Sequence, residues 1–360
     1  MTGYACLDCG QAYQGGEHHR CPACGGIFSV AGGIQFNSGE IDHTLPGIWP
    51  YRHTFGLPEN APNLSLGEGN TPRVPVEVDG NQLWLKLESL SPTGSYKDRM
   101  AAVLVSALAA EGVSQAVEDS SGNAGAAFAA YCARADIRGK VFVPQSAAGP
   151  KGEQIARFGA EVVPVPGPRQ AATDAVLSEV VGGAVYASHA YLPQGLSGAA
   201  TIAYELADKV GNVPGMVIAP VGHGGLLLGI IFGFQALLAA GEITRLPKFI
   251  GVQAQENAPI WAAAKGQEFA ASSTCADGIA VSEPVRGSEL LELYRQEVVD
   301  LITVAEEAIW EGREVLLKQG IDAELTSAVV IDAYRQLIEG NQVSDKGQIV
   351  AIISGHGLKQ

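Results

Sequence analysis

Basic residues are scarce in this chain. Lys and Arg together number 23 against 38 Asp and Glu, which gives 360 residues a formal net charge of −15. Nucleic-acid phosphates are bound by clustered Lys and Arg, so a broad nucleic-acid-binding surface is excluded. An acidic enzyme of the cytoplasm fits this balance better.

Export signals and long apolar runs are also missing, with one exception. The start of the chain lacks the cationic, apolar and small-residue pattern of a secretory leader, so export is not expected. Residues 224–241 (GGLLLGIIFGFQALLAAG) approach the length of a membrane span, but they begin on a Gly-rich turn and contain Gln235. We therefore predict a buried core helix and no membrane association. No internal repeat is evident.

Cysteine is nearly absent after residue 24. Cys132 and Cys275 stand alone, and we interpret them as small packing residues. The other four form two CxxC pairs, Cys6/Cys9 and Cys21/Cys24, a pattern typical of a tetrahedral Zn²⁺ site with four thiolate ligands.

The segment around these pairs, residues 1–30, has too few large apolar residues to fold on a core of its own. We predict that a structural zinc ion holds it as a zinc ribbon. Two alternatives stay open: two disulfides, which a cytoplasmic location disfavours, and replacement of a thiolate by His18 or His19, which otherwise lie on a solvated loop.

Beyond a Pro-rich connection, apolar strand patterns alternate with helical ones, which predicts an α/β fold with two doubly wound, mostly parallel-sheet domains. The predicted organisation is a zinc ribbon at 1–30, an N-terminal α/β domain with a mobile subdomain at 82–190, and a C-terminal α/β domain at 36–81 and 191–360. The predicted strands are 82–87, 113–119, 141–143, 162–165, 216–219, 249–252 and 349–353, and the predicted helices are 95–110, 124–135 and 151–158.

Four Gly-containing turns follow apolar strands, where ligands collect in open parallel sheets. The first, residues 91–99 (SPTGSYKDR), places Lys97 just inside a helix start. The positive end of the helix dipole lowers the pKa of such a lysine and favours the neutral amine that imine formation needs. The alternative is a surface lysine of a helix N-terminus.

The second turn, residues 119–124 (DSSGNA), offers hydroxyls, backbone amides and a carboxamide at a helix start. Such a set can cradle a carboxylate, although Ser120 or Ser121 could simply cap the helix.

The third and fourth turns are residues 220–226 (PVGHGGL) and 353–359 (ISGHGLK). Exposed amides of the Gly-rich third turn can wrap a phosphate, and neither a P-loop Lys nor Rossmann spacing accompanies it. In the fourth, the Ser354 hydroxyl can bond a ring nitrogen, or the segment is an ordinary turn.

Taken together, LESLSPTGSYKDR, SSGNA and SGHGLK resemble the fold-type II family of pyridoxal-phosphate (PLP) enzymes, within the tryptophan synthase β-like superfamily. The resemblance is closest to threonine synthases and covers residues from about 64 to 359. An N-terminal ribbon also occurs among threonine synthase-like sequences.

The resemblance implies a role for each turn. Lys97 would bind PLP as a Schiff base and act as the catalytic base, Asn123 would contact the 3′-oxygen of the cofactor, and Ser354 would face its pyridine nitrogen. The cofactor phosphate would lie on Gly222, His223, Gly224, Gly225 and Leu226, and thus on the C-terminal domain. The substrate carboxylate would meet Ser120, Ser121 and Gly122.

The implied reaction is that of a lyase: O-phosphohomoserine, which is a small amino acid, reacts with water to give threonine and phosphate. The resemblance also implies a homodimer. The chain departs from the family pattern at Ala124, where a Thr is common, at His223, where an Asn is common, and around Gly195, because residues 188–201 contain no Arg or Lys. A dianionic phosphate needs charge-assisted donors to leave water.

Three further residues have open interpretations. His189, together with His223, could supply donors to the substrate phosphate if protonated, with Ser188 assisting, or His189 is a core or hinge residue. Glu324 either caps a helix or lines the cofactor site.

Two other functions stay open at this stage. One is β-elimination or β-replacement on a serine- or threonine-like amino acid, as in a dehydratase or a cysteate-synthase-like enzyme. The other, outside enzymes, is a catalytically silent zinc-ribbon scaffold.

Overall fold

The computed structural model of the protein describes residues 2–15, 19–147, 150–167, 169–207, 213–343 and 347–359. His18, a candidate zinc ligand or loop residue, lies outside these residues.

Strands and helices alternate along most of the chain. The strands are β1 (Gly3–Cys6), β2 (Phe28–Ala31), β3 (Arg73–Val78), β4 (Asn81–Leu87), β5 (Gln115–Glu118), β6 (Arg138–Pro144), β7 (Glu161–Val165), β8 (Val185–Tyr186), β9 (Met216–Pro220), β10 (Lys248–Ala254), β11 (Val299–Val304) and β12 (Ile349–Ile353). The helices are α1 (Lys97–Ala110), α2 (Asn123–Arg134), α3 (Pro150–Arg157), α4 (Arg169–Val181), α5 (Gln194–Leu206), α6 (Gly225–Ala239), α7 (Pro259–Lys265), α8 (Gly287–Arg295), α9 (Glu306–Lys318) and α10 (Leu325–Glu339).

The first compact unit contains Met1–Gly69 and Ser91–Thr201. Its main sheet has the order β7-β6-β5-β8, and every described pairing in it is parallel. Parallel pairing requires helical crossovers, and these cover the sheet with apolar faces. The Ala-rich helix α2 is buried along most of its length, because small side chains let it approach the sheet and α1 closely.

The cysteine-rich segment of this unit is a small antiparallel hairpin, β1–β2. It is joined to the rest of the unit by Tyr4, whose hydroxyl donates to the Phe55 carbonyl at 2.6 Å and lies 3.2 Å from Ser197 Oγ. Burial raises the pKa of Tyr4, so the phenol stays protonated and keeps this donor. The Tyr4 phenol therefore links the hairpin to Phe55 and to α5.

The second compact unit contains Asn70–Leu90 and Ile202–Lys359. Its sheet has the order β11-β10-β9-β12-β4-β3, parallel except for the β3–β4 hairpin at one edge. Strands β9 and β12 are buried at every position, as expected of central parallel strands with helices on both faces. The predicted α/β fold with mostly parallel sheets is confirmed.

The apolar run at 224–241 forms α6, which is buried on nearly all sides. No helix among the described residues has both the length and the apolar content to cross a bilayer. The predicted core helix is confirmed.

The predicted domain bounds differ from the compact units. Residues 36–69 lie in the first unit, although the sequence pattern grouped them with the C-terminal domain, and β4 lies in the second. The reason is that residues 48–64 carry a buried apolar cluster that packs with α1, whereas β4 pairs with β12. The functional division into domains stays a prediction.

The loop before α2 passes over the first turn of that helix at a separation that only glycine allows. A Cβ added at Gly125 would lie 1.9 Å from the Ser120 carbonyl oxygen. The Ser120–Gly122 backbone is thereby seated directly on α2.

We predict that Gly125→Ala displaces this loop and lowers the free energy of unfolding by about 1–3 kcal/mol, the usual penalty for overpacking. Denaturant unfolding measures the change. Gly3→Ala is the control, since a Cβ there meets no atom within 4 Å. Equal stability of the two variants would contradict the proposed fit.

Candidate active site

The turn that leads into α1 is held by a short network around Asp98. Its carboxylate accepts the Thr93 amide and the Thr93 hydroxyl, each at 2.8 Å. Gln154 donates to the Thr93 carbonyl at 3.1 Å. These bonds fix the backbone on both sides of Gly94, so Lys97 begins the helix in one defined orientation.

Lys97 is half-buried and lines a small cavity of the first unit. Its Nζ lies 4.7 Å from the centre of the Tyr96 ring. Burial lowers the pKa of Lys97 to about 7, and the nearby Glu118 opposes this change. The direction agrees with the sequence prediction, but removal of the ammonium group from water, rather than the helix dipole, is the main cause.

The residue that sequence reasoning missed is Glu118, the last residue of β5. It is 1% exposed and lines the same cavity as Lys97. A 3.0 Å hydrogen bond joins its Oε1 to Nδ1 of His189. The available signal was the pair of acids, Glu118 and Asp119, that ends an otherwise apolar strand directly before SSGN.

Asp119, the residue after Glu118, contacts a different set of groups. It accepts hydrogen bonds from Tyr186 at 2.8 Å and Thr173 at 2.7 Å, and it pairs with Arg169 at 2.9 Å. These groups hold the pKa of Asp119 below its usual value against the effect of burial. Asp119 is therefore a charged structural anchor at the end of β5.

The SSGN loop follows at the carboxyl end of β5, next to the parallel strand β8. The Gly122 amide donates to Ser120 Oγ at 3.3 Å, and Asn123 is the first residue of α2. Ser120, Ser121 and Gly122 are partly exposed, so they are accessible to a ligand. No side-chain cap bonds the start of α2, so capping by a serine does not account for this loop.

His189 and Ser188 follow β8 at the same edge of the sheet. Ser188 is 2% exposed, and the His189 ring is half-buried against Glu118. A carboxyl group beside His189 makes this ring a poor ligand for a dianionic phosphate. The contact instead favours the alternative that His189 is a satisfied interior residue.

The predicted phosphate loop lies in the second unit, between β9 and α6. Gly224 has φ +100°, and a Cβ there would lie 2.9 Å from Leu290 Cδ1, so glycine is required on both counts. The buried Arg286 packs against Gly224, and its amide donates to the His223 carbonyl at 3.2 Å. The loop thus opens a 15-residue helix whose first amides can bind an anion.

Ser354 follows β12, which pairs with β9, so it lies at the same sheet edge as the Gly-rich loop. It is 3% exposed, and its Oγ lies 3.0 Å from Oγ of Ser327. Ser327 also accepts the Gly355 amide at 3.0 Å. The contact orients the Ser354 hydroxyl, a role for Ser327 that the sequence did not indicate.

Glu324 occupies the position before α10 and is fully buried. Its side chain makes no capping hydrogen bond to the helix. Helix capping by this side chain, one of the two sequence interpretations, is therefore wrong.

The four N-terminal cysteines come together. Their sulfur atoms all lie within 4.8 Å of one another, and Cys6 Sγ is 3.4 Å from Cys24 Sγ. All four are free thiols, so the alternative of two disulfides is wrong for this structure. Of the other two, Cys132 is 1% exposed among apolar side chains, as predicted for a packing residue.

Known proteins resemble this chain in sequence and in fold. The sequence profile described as "Pyridoxal-phosphate dependent enzyme" matches residues 64–355. The chain belongs to this family. It is a PLP-dependent lyase, and the silent-scaffold alternative is not supported.

Among curated relatives, a threonine synthase of Methanocaldococcus jannaschii is 30% identical over 98% of this chain and 92% of that protein. A threonine synthase of Methanosarcina acetivorans is 29% identical over 98% of the chain and 91% of that protein. One from Halalkalibacterium halodurans is 31% identical over 86% and 88%.

Solved structures share the fold. A threonine deaminase of T.th. is 26% identical, has a TM-score of 0.66, and the match covers 79% of this chain and 92% of that one. A serine racemase from Dictyostelium discoideum gives 25% identity, a TM-score of 0.66 and the same two coverages.

We predict that Lys97, in the full chain freed of cofactor, reacts half-maximally with acetic anhydride near pH 7, because only the neutral amine reacts. Mass spectrometry of the acetylated peptides measures this. Lys265 is the internal control, since its hydrogen bond to Tyr294 raises its pKa. Labelling of Lys97 at no lower pH than Lys265 would contradict the buried amine.

Proposed function

We propose that the chain catalyses the threonine synthase reaction, which converts O-phosphohomoserine and water to threonine and phosphate. The proposal is supported above all by the share of the chain that threonine synthases match. Threonine synthases match 98% of the chain at about 30% identity, whereas the general family profile matches only residues 64–355. The likeness therefore includes the cysteine segment and is not limited to the shared catalytic fold.

The residues fit the cofactor in each unit taken separately. In the first unit, Lys97 has an amine of lowered pKa in an apolar cavity, and Asn123 begins α2 directly after the Ser-Ser-Gly turn. In the second, Ser354 offers a buried, oriented hydroxyl for a ring nitrogen. The backbone amides that would bind the cofactor phosphate lie just before and at the start of α6. They belong to Gly222, His223, Gly224, Gly225 and Leu226.

When bound, PLP supplies an electron sink that makes the Cα proton of an attached amino acid acidic. Lys97 Nζ is the group that takes this proton, because its lowered pKa keeps part of it neutral at pH 7. Ser120, Ser121 and Gly122 orient the substrate by its carboxylate through the amides of their loop. The hydroxyl of Ser354, unlike a carboxylate, leaves a ring nitrogen unprotonated and so favours elimination over transamination.

A second candidate is β-elimination or β-replacement on a serine- or threonine-like amino acid. One observation favours it: where a phosphate ligand is expected, the first unit has Ala124, buried at 6% exposure, and His189 held by a carboxyl group. A neutral leaving group needs no cationic ligand there.

Phosphate release from O-phosphohomoserine and 2-oxo-acid formation from threonine, assayed in parallel, separate the two candidates. We expect the first reaction, and we expect Lys97→Ala to lower it by about 10²–10⁴-fold because the base is lost. Lys140→Ala is the matched control, since Lys140 pairs with Glu179 at 2.7 Å and does not line the Lys97 cavity. Oxo-acid formation without phosphate release would overturn the threonine synthase proposal.

We propose that Cys6, Cys9, Cys21 and Cys24 hold one structural Zn²⁺. Four thiolates at about 2.3 Å from a tetrahedral zinc ion stand about 3.8 Å apart, which is close to the observed separations. Arg20, next to Cys21, donates to the Tyr191 hydroxyl at 3.2 Å, so the metal would also brace the segment after β8.

Metal analysis of the purified protein should find about one zinc per chain. Cys21→Ser should lower the zinc content and the melting temperature, because a structural metal contributes folding free energy. Cys275→Ser is the control outside the cluster, and it should change neither. Full zinc content in Cys21→Ser would remove that thiolate from the site.

The remaining expectations from the sequence also stay proposals. We propose a homodimer that acts in the cytoplasm on a small amino acid, without nucleic-acid or membrane partners. The acidic balance of the chain supports the exclusion of nucleic acid.

A further inference from the structure

Lys97 lines a small cavity of the first unit. Its volume is about 10 Å³, room for about one water molecule. Apart from Lys97, Glu118 and His189 its lining is apolar, with Ala101, Leu104, Val105, Ala124, Phe128 and Ala187. A charge that forms here has little water to stabilise it.

Only one of the two carboxyl oxygens of Glu118 has a side-chain hydrogen-bond partner. Oε1 bonds His189 at 3.0 Å, but Oε2 is buried, and no described residue donates to it. A buried carboxylate oxygen without a donor is costly, and native proteins rarely keep one without a reason. A protonated oxygen in contact with an amine or a water removes that cost.

The groups around Glu118 act on its pKa in both directions: burial and the Asp119 charge raise it, whereas Arg169, Lys97 and the Asp119 backbone amide lower it. Titratable and charged groups face it from several elements: Asp119 directly after β5, Arg169 of α4, Lys97 of α1, Tyr186 of β8, His189 from the segment after β8, and the Cys132 thiol of α2. Arg169 is paired with Asp119 at 2.9 Å, so its charge is largely balanced there. Burial and Asp119 together raise the pKa of Glu118 well above its usual value.

We propose that Glu118 and Lys97 share one proton across this cavity, with His189 as the positioning residue that holds Oε1 and leaves Oε2 to the amine. The inference rests on the proposed role of Lys97 as the cofactor lysine. When Lys97 is free of cofactor, the pair holds this proton either as a carboxyl with a neutral amine or as a carboxylate with an ammonium. When the pair passes from carboxylate with ammonium to carboxyl with amine, an N–H bond at Nζ breaks as an O–H bond at Oε2 forms, so the pair neither gains nor loses a proton.

The physical advantage is charge balance. The two protonation arrangements of the pair, acid with amine and carboxylate with ammonium, have the same net charge, so exchange between them places no uncompensated charge among apolar side chains. The pair therefore returns Lys97 to the neutral form without moving a proton through the apolar lining to solvent. Glu118 acts through Lys97 and is a positioning residue in this scheme.

The test is the pH dependence of Lys97 acetylation in the full chain freed of cofactor. Glu118→Gln keeps the size of the side chain and a bond to His189, but removes the negative charge that favours the ammonium form. We expect the midpoint for Lys97 to fall by about one pH unit, the lower end of the effect of a close charge. Glu118→Asp keeps a titrating carboxyl and should restore most of the original midpoint.

Glu68→Gln is the matched control. Glu68 is another fully buried carboxyl of the first unit, bonded to Tyr131 at 2.5 Å, and its pKa is also raised by burial. It does not line the Lys97 cavity, so this variant should leave the Lys97 midpoint unchanged. An unchanged midpoint in a folded Glu118→Gln protein would overturn the shared proton.

A second measurement tests the proposal even if the Glu118→Gln protein does not fold. Infrared difference spectra of the Glu68→Gln protein, recorded as pH rises, should lose a protonated-carboxyl C=O band over the range in which Lys97 becomes reactive. Absence of that band would refute the proposal. Neither measurement uses substrate, so a failure to release phosphate from O-phosphohomoserine would reject the proposed reaction and leave both results valid.

Discussion

The proposed chemistry of this protein depends on one amine that lies in a largely apolar cavity. None of the ion pairs among the described residues involves Lys97, so no such pair fixes it as an ammonium ion. It lies in a cavity too small for a hydration shell, beside a carboxyl group that is itself buried. Each feature around it serves that condition: the Asp98 network fixes where α1 begins, the Ala-rich α2 closes the cavity, and β5 ends with Glu118 inside it.

The two neighbouring acids at the end of β5 show how the same burial gives opposite outcomes. Asp119 has a guanidinium and two hydroxyl donors, and it stays charged. Glu118, one residue earlier and the last residue of β5, has one imidazole and one oxygen without a described donor, and its pKa rises. The donors around each acid thus distinguish an anchor from a titrating group.

Much of this could be predicted from the sequence because the signals are local. The apolar strand patterns and the Gly-containing turns place Lys97, Asn123, Gly224 and Ser354 at strand ends or helix starts. Glu118 and Ser327 were not predicted, for a common reason. Their partners, His189 and Ser354, are 71 and 27 residues away, and only the tertiary fold brings them together. The compact unit that contains residues 36–69 also depends on a long-range apolar cluster, which the local pattern does not show.

The Tyr4 phenol gives the cysteine hairpin a consequence beyond metal binding. Because its hydroxyl donates to the Phe55 carbonyl and contacts Ser197 Oγ, the body of the first unit has polar groups that meet a partner from the hairpin. A chain shortened at its N-terminus would expose these groups together with the surface beneath them. Loss of the hairpin during evolution would thus demand compensating replacements at Ser197 and around Phe55, which ties the small module to the large one as a single inherited unit.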